Sequence, residues 1–191
     1  MATSKSEIIK FHYSQEWREW LHEHHTNSVG ICLQISKSKA PEQTISYKEA
    51  LDEALCFGWI DSQKFPFDEY YWLQKFSPRK PKSIWSKINI QHIERLTQAG
   101  KMMPAGIQVV QEAKVNGQWE QAYAAQSEMV IPEDFLLELK KNKPAELFYQ
   151  TLNRTNLFAI YFRLQSAKKP ETRLKRMEQI LEKLAKGEKF H

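Results

Sequence analysis

The stretch ISYKEALDEALCFGWID, residues 45–61, decides the fold. Ser46 is followed three residues later by Glu49, the spacing of a capping box, and Ile45 and Ala50 stand at hydrophobic-staple positions. A helix therefore starts after Ser46. Ala50, Leu51, Ala54 and Leu55 give it one apolar stripe. Gly58 fits its C-terminus, where a left-handed backbone conformation is needed and glycine adopts it without a side-chain clash. Trp59 must then leave the helix at a sharp angle. ALCFG is thus the inner face and stop of a helix, and WID opens something extended.

Downstream, WIDSQKFPF and YYWLQKFSP are aromatic-rich runs on either side of Asp68-Glu69. They predict a hairpin joined to a buried strand in VGICLQIS, residues 29–36. Pro66 places the first arm at an edge or makes it irregular. Upstream, Ser14 is a candidate cap for a helix through His25, with Trp17, Trp20 and Leu21 on one face. From Ser83 onward the spacing of Trp85, Ile88, His92 and Leu96 predicts a helix stopped by Gly100. Pro104 begins another, with Ile107, Val110 and Ala113 inward and Gly117 as its stop. Trp119 and Tyr123 add a short turn. Further helices start at Pro132, Pro144, Asn156 and Pro170, and the last repeats Leu174, Met177, Leu181 and Leu184 before Gly187. The expected class is α+β: a small antiparallel sheet packed with helices over 1–125, then a helical bundle-like region over 126–191. The seam falls in AAQSEMV, residues 124–130.

With 12% aromatic residues in 191, a proper core is within reach although apolar residues make up only 41%. There is no internal repeat and no low-complexity linker. Net charge is +5, concentrated in Gln165–His191, where eight Lys/Arg face four Glu. That pattern indicates a solvated helix face rather than a broad nucleic-acid surface. Cys32 and Cys56 lie among apolar neighbours outside any CxxC, as free buried thiols do, although a disulfide stays open if they meet. The N-terminus has no apolar run of leader length and no segment is long enough to span a membrane, so a cytoplasmic protein is expected. Nucleophile-elbow, zincin, P-loop and dinucleotide fingerprints are missing, so no cofactor is expected.

FSPRKPKSIWSKIN, residues 76–89, carries Arg79, Lys80, Lys82 and Lys87 and no acid. Two prolines stiffen it, and Ser83 or Ser86 could cap the next helix. A helix N-terminus with cations beside it is a sensible anion site. In this reading Arg79 and Lys82 supply charge, Ser83 or Ser86 supply hydrogen bonds, and Trp59 and Trp85 form walls. The plainer reading is a solvated basic loop with a capping serine and two core tryptophans. Asp61 is a candidate acid or base beside Arg79, and equally a structural ion-pair partner, as are Asp68 and Glu69. His22, His24 and His25 cluster near a helix end, where cationic histidine is sufficient explanation; no metal is expected.

Taken together, EALDEALCFGWIDSQ (49–63), DEYYWLQKFSPRKPKSIWSKIN (68–89), IERLTQAGKMMPAG (93–106), AKVNGQWEQAY (113–123), VIPEDF (130–135) and SAKKPETRLKRMEQILEKLAKG (166–187) resemble the YdeI/OmpD-associated, or bacteriocin-protection, family. The resemblance runs from about Trp17 to Gly187. It implies a link to resistance against bacteriocins and envelope stress, and supplies no reaction, cofactor or catalytic set. The motif positions it carries over are Gly58, Trp59, Asp61, Arg79, Ser83, Trp85, Ser86, Lys87 and Asn89. Lys101 stands where the resemblance implies Arg, which keeps charge and loses bidentate bonding. The resulting expectation is a binding module for a small anionic ligand or acidic partner. The alternatives are an enzyme using an Asp61/Arg79 pocket and a protein-interaction module acting through the basic last helix.

Overall fold

The computed structural model describes residues 7–191; residues 1–6, the start of the stretch read above for a leader, lie outside it. The described chain divides into two compact units. The first takes residues up to Ser83 together with Asn89–Gln121, and the second takes Ile84–Ile88 together with Ala122–His191.

In the first unit the elements run β1 (Ile8–Ile9), α1 (Ser14–His24), β2 (Ile31–Ser36), α2 (Tyr47–Cys56), β3 (Trp59–Pro66), β4 (Tyr71–Pro78), α3 (Lys87–Gln98) and α4 (Pro104–Val115). The first two residues of α3 group with the second unit. Helix α2 is built as its sequence demands. Ser46 Oγ accepts from the Glu49 N–H at 3.3 Å, and the Glu49 carboxylate accepts from the Ser46 N–H at 3.0 Å. Gly58 stops the helix at φ 75°, and a Cβ there would stand 2.8 Å from Val109 Cγ2.

The expected hairpin forms between β3 and β4, and β4 also pairs antiparallel with β2. The order β1-β2-β4-β3 leaves β3 at an edge, with a register shift between Asp61 and Lys64, which suits Pro66. The sheet is nevertheless mixed, because β1 pairs with β2 in parallel. Two residues are too short to give a period, so Ile8–Ile9 carried no strand signal.

Three aromatics hold this unit. Trp17 and Phe76 are fully buried and Trp59 is 1% exposed. Trp17 stands 6.1 Å from Trp59 edge-on and 5.9 Å from Phe76. Each indole N–H finds a carbonyl: Trp17 donates to Ala50 at 3.0 Å and Trp59 to His25 at 3.2 Å. Burying rings of 150–250 Å² is worth on the order of 4–6 kcal/mol each in transfer free energy, an upper bound.

Three details differ from expectation. Ser14 is the first residue of α1 rather than its cap; the Glu16 carboxylate accepts from the His12 N–H at 2.7 Å and the Tyr13 N–H at 3.4 Å. Helix α3 begins at Lys87, not Ser83, and buries Ile93 and Leu96 while Ile88 is exposed. Helix α4 exposes Ile107 and buries Gly106 against α2, where the Met103 N–H donates to the Cys56 carbonyl at 3.0 Å.

The second unit contains α5 (Glu133–Lys141), α6 (Lys143–Tyr149), α7 (Arg154–Gln165) and α8 (Pro170–Ala185). Asn142 Oδ1 caps α6 by accepting from the Ala145 N–H at 3.2 Å, and Asn153 Oδ1 caps α7 through the Asn156 N–H at 3.0 Å. Phe135, Leu139, Ile160, Leu164, Met177, Ile180 and Leu184 form its core. Leu174, expected in the inward stripe, is exposed, and Ile180 fills the stripe instead. Among the described residues no helix is long and apolar enough to cross a membrane.

Candidate functional site

The basic stretch 76–89 is divided between the units, and each part is built differently. In the first unit Pro78 pairs with Trp59 at the end of the β3–β4 ladder. One residue on, the Arg79 N–H donates to the Gly58 carbonyl at 3.0 Å. Lys80 and Ser83 then close a turn, with the Lys80 N–H donating to Ser83 Oγ at 3.0 Å and the Ser83 N–H to the Lys80 carbonyl at 2.8 Å. The Pro81 carbonyl at the tip accepts from Asn116 Nδ2 at 3.3 Å and from Gln118 Nε2 at 3.2 Å. Thus AKVNGQWEQAY supplies the latch for PRKPKS.

The loop is therefore held at both ends and at its tip. Ser83 serves the loop's own turn and is not a helix cap. Arg79 is 9% exposed, whereas Lys80 and Lys82 stand in solvent. Trp59, expected as a pocket wall, is 1% exposed in the aromatic core and offers no face to a ligand. Asp61 is half-buried and its carboxylate accepts from the Tyr47 hydroxyl at 2.9 Å. Asp68 is a turn acid, accepting from the N–H groups of Tyr70 at 2.8 Å and Tyr71 at 2.7 Å. Asn89 lies in the first turn of α3, half-buried.

In the second unit Trp85 and Ser86 are buried and Lys87 is exposed. Trp85–Ser86 is extended, not helical, and α3 starts at Lys87. The Tyr123 N–H donates to the Trp85 carbonyl at 3.0 Å, and the Lys87 N–H donates to the Tyr123 carbonyl at 2.9 Å. Ser86 and Tyr123 form a parallel bridge.

Sequence reasoning missed two polar clusters in the first unit. Asp52 Oδ1 lies 2.7 Å from His92 Nδ1, and Arg95 Nη2 donates to both Asp52 oxygens at 2.6 and 2.7 Å. Burial works against the charged form of Asp52, but the hydrogen bonds from Arg95 and His92 outweigh it and hold its carboxyl below the ordinary range. Arg18 donates to buried Glu53 at 2.6 Å and to the Lys101 carbonyl at 3.0 Å. Partners 35 to 83 residues apart leave no local pattern to read. Burial, with the Glu53 charge beside it, pushes the Cys56 thiol up to about 11. Cys56 and Cys32 are both buried and free.

His24 stacks on Trp20 at 4.6 Å with Nδ1 2.8 Å from the Trp20 carbonyl, and His25 Nδ1 lies 2.9 Å from the Leu21 carbonyl. Both close the end of α1. Among the described residues no group of three His, Cys, Asp or Glu side chains could hold a metal ion.

Comparison with protein families places these features. A model described as a domain of unknown function, DUF8412, matches residues 9–109. The chain belongs to the DUF8412 family. Both ALCFGWID and WSKIN lie inside that match, so the motifs at the basic loop are part of the DUF8412 region. A second model, Bacteriocin-protection, YdeI or OmpD-Associated, matches residues 128–187. The family resemblance drawn from about Trp17 onward is therefore matched in the tail, while the DUF8412 model takes residues 9–109. Against curated proteins and against solved structures, this DUF8412 chain has no significant match.

Proposed function

We propose that the chain is a binding module for a small anionic ligand or acidic partner, held at the loop Arg79–Ser83. The observation that supports this most is the set of hydrogen bonds that latches the loop. Its Arg79 N–H, Lys80 N–H and Pro81 carbonyl are each fixed by a bond, so Lys80 and Lys82 are presented from a preset backbone. An ordinary solvated basic loop needs no such latch, and preorganisation lowers the entropy cost of binding. No acid interrupts the sequence between Glu69 and Glu94, so the stretch carries no acid of its own to offset its cations. The narrower role, protection against bacteriocins, rests on the name of the family matched at residues 128–187. A reducing compartment such as the cytoplasm suits two free, buried thiols.

The enzymatic alternative at Asp61 has weaker support, because a half-buried carboxylate bonded to Tyr47 is what a structural acid also looks like. The test is an NMR titration of the labelled chain with inorganic pyrophosphate. Saturable amide shifts at Lys80, Lys82 and Ser83 are expected; a loop whose signals do not move at any concentration disproves the reading.

A further inference from the structure

The second unit contains a half-open cavity of about 730 Å³ between α7 and α8. Its size is that of small-molecule sites, which run from about 300 to 1,000 Å³. One set of walls is apolar, from Phe158, Phe162, Ile180 and Phe190. The other is cationic, from Arg163, Arg176 and Lys183, and no Asp or Glu lines it.

The two guanidinium groups are held by neutral acceptors. Arg163 Nη1 donates to the Ala159 carbonyl at 3.1 Å. Arg176 Nη1 donates to the Arg163 carbonyl at 2.7 Å and to Ser166 Oγ at 3.0 Å, which ties α8 to the end of α7. Among the described residues neither arginine pairs with a carboxylate, while Lys183 has Glu188 at 3.4 Å. The Phe190 ring lies beneath two of these charges, with Arg163 at 4.6 Å and Lys183 at 5.6 Å from its centroid. Buried Asn156 pins that segment, its Oδ1 accepting from the N–H groups of Phe190 at 2.8 Å and His191 at 3.1 Å. Two arginines that pair with no side-chain carboxylate, beside aromatic walls of low dielectric, favour an anion there. A plain packing gap would gain nothing from them.

We propose that this cavity binds a small amphipathic anion: an aryl or alkyl body against the phenylalanines and a carboxylate, sulfonate or phosphate head on Arg163 and Arg176. The site is separate from the Arg79–Ser83 loop and stands or falls independently of it.

The test uses two fluorescent probes with the full chain. One is 8-anilinonaphthalene-1-sulfonate; the other is N-phenyl-1-naphthylamine, the same rings without the charge. The sulfonate binds one per chain and about tenfold or more tighter than the neutral probe, since a hydrogen bond to a charged group is worth that much. Arg163→Gln narrows this gap by most of its size, and Arg163→Lys keeps much of it. Lys175→Gln, an exposed cation of α8 outside the cavity, leaves the gap intact. If Arg163→Gln melts early, Arg176→Gln is read in its place. Equal binding of the two probes, or a gap that neither glutamine variant changes, overturns the proposal.

Discussion

The backbone N–H of Arg79 donates to the carbonyl of Gly58 at 3.0 Å, fastening the start of the basic loop to the stop of helix α2. The turn that ends the helix and the turn that presents the lysines are thus one mechanical unit. Gly58→Ala should disturb both. Its φ of 75° is strained for any side chain, and the new methyl would meet Val109 at 2.8 Å. A loss of about 1–3 kcal/mol is expected. Urea unfolding measures it, and a wild-type midpoint would show that the turn tolerates a side chain.

The seat of α4 on α2 gives a sharper case. A Cβ on Gly106 would stand 2.2 Å from the Cys56 carbonyl oxygen, a backbone atom that cannot swing aside. Gly106→Ala should therefore cost about 2 kcal/mol or more, since overpacking a fixed contact forces helices apart. Gly100→Ala is the comparison, having positive φ but nothing within 4 Å. It should cost less; the reverse order of the two would refute the close-approach argument.

Acid stability tests the Asp52 cluster. The carboxyl ionises below its ordinary range in the folded chain, held there by Arg95 and His92 against its burial. The unfolded chain therefore takes up the proton first, and stability from this group is complete above the unfolded value near ~4 and lost as pH falls through the folded one. The stability gap between wild type and Asp52→Asn should shrink as pH falls below about pH 4. Chemical denaturation across that range reads it, and a gap that stays level into acid would remove Asp52 from the explanation.

Thiol chemistry tests the core around Cys56. Its thiol is fully buried and pushed up to about 11, and Cys32 is 6% exposed. At pH 8 neither should react with an aromatic disulfide reagent on the timescale of minutes, and both should react once the chain is denatured. Fast labelling of native Cys56 would mean that the α2–α4 seat opens readily.

How legible was this molecule? Elements set by local chemistry were read correctly: the Ser46/Glu49 box, the Gly58 stop, the hairpin around Asp68 and the helices begun at Pro104 and Pro170. Errors came where long-range contacts decide. Trp85 has helical spacing to Ile88, yet the backbone bonds to Tyr123 keep it extended. Ser83 has the composition of a cap, but its hydroxyl is taken by Lys80. Trp59 beside a basic loop reads as a pocket wall from sequence, and burial among Trp17 and Trp20 withdraws it. Of the candidate site, the cations were legible. The latch from Asn116 and Gln118 was not, because its partners lie 35 and 37 residues from Pro81.

The loop itself is best tested by calorimetry with pyrophosphate at low salt, comparing the wild type with Lys80→Gln/Lys82→Gln. Both lysines are exposed, so the double variant should melt within a few degrees of the wild type. One-to-one binding is expected, weakened about tenfold or more when both charges go. Heats indistinguishable between the two proteins, or no binding at all, would mean that the latched loop is not an anion site.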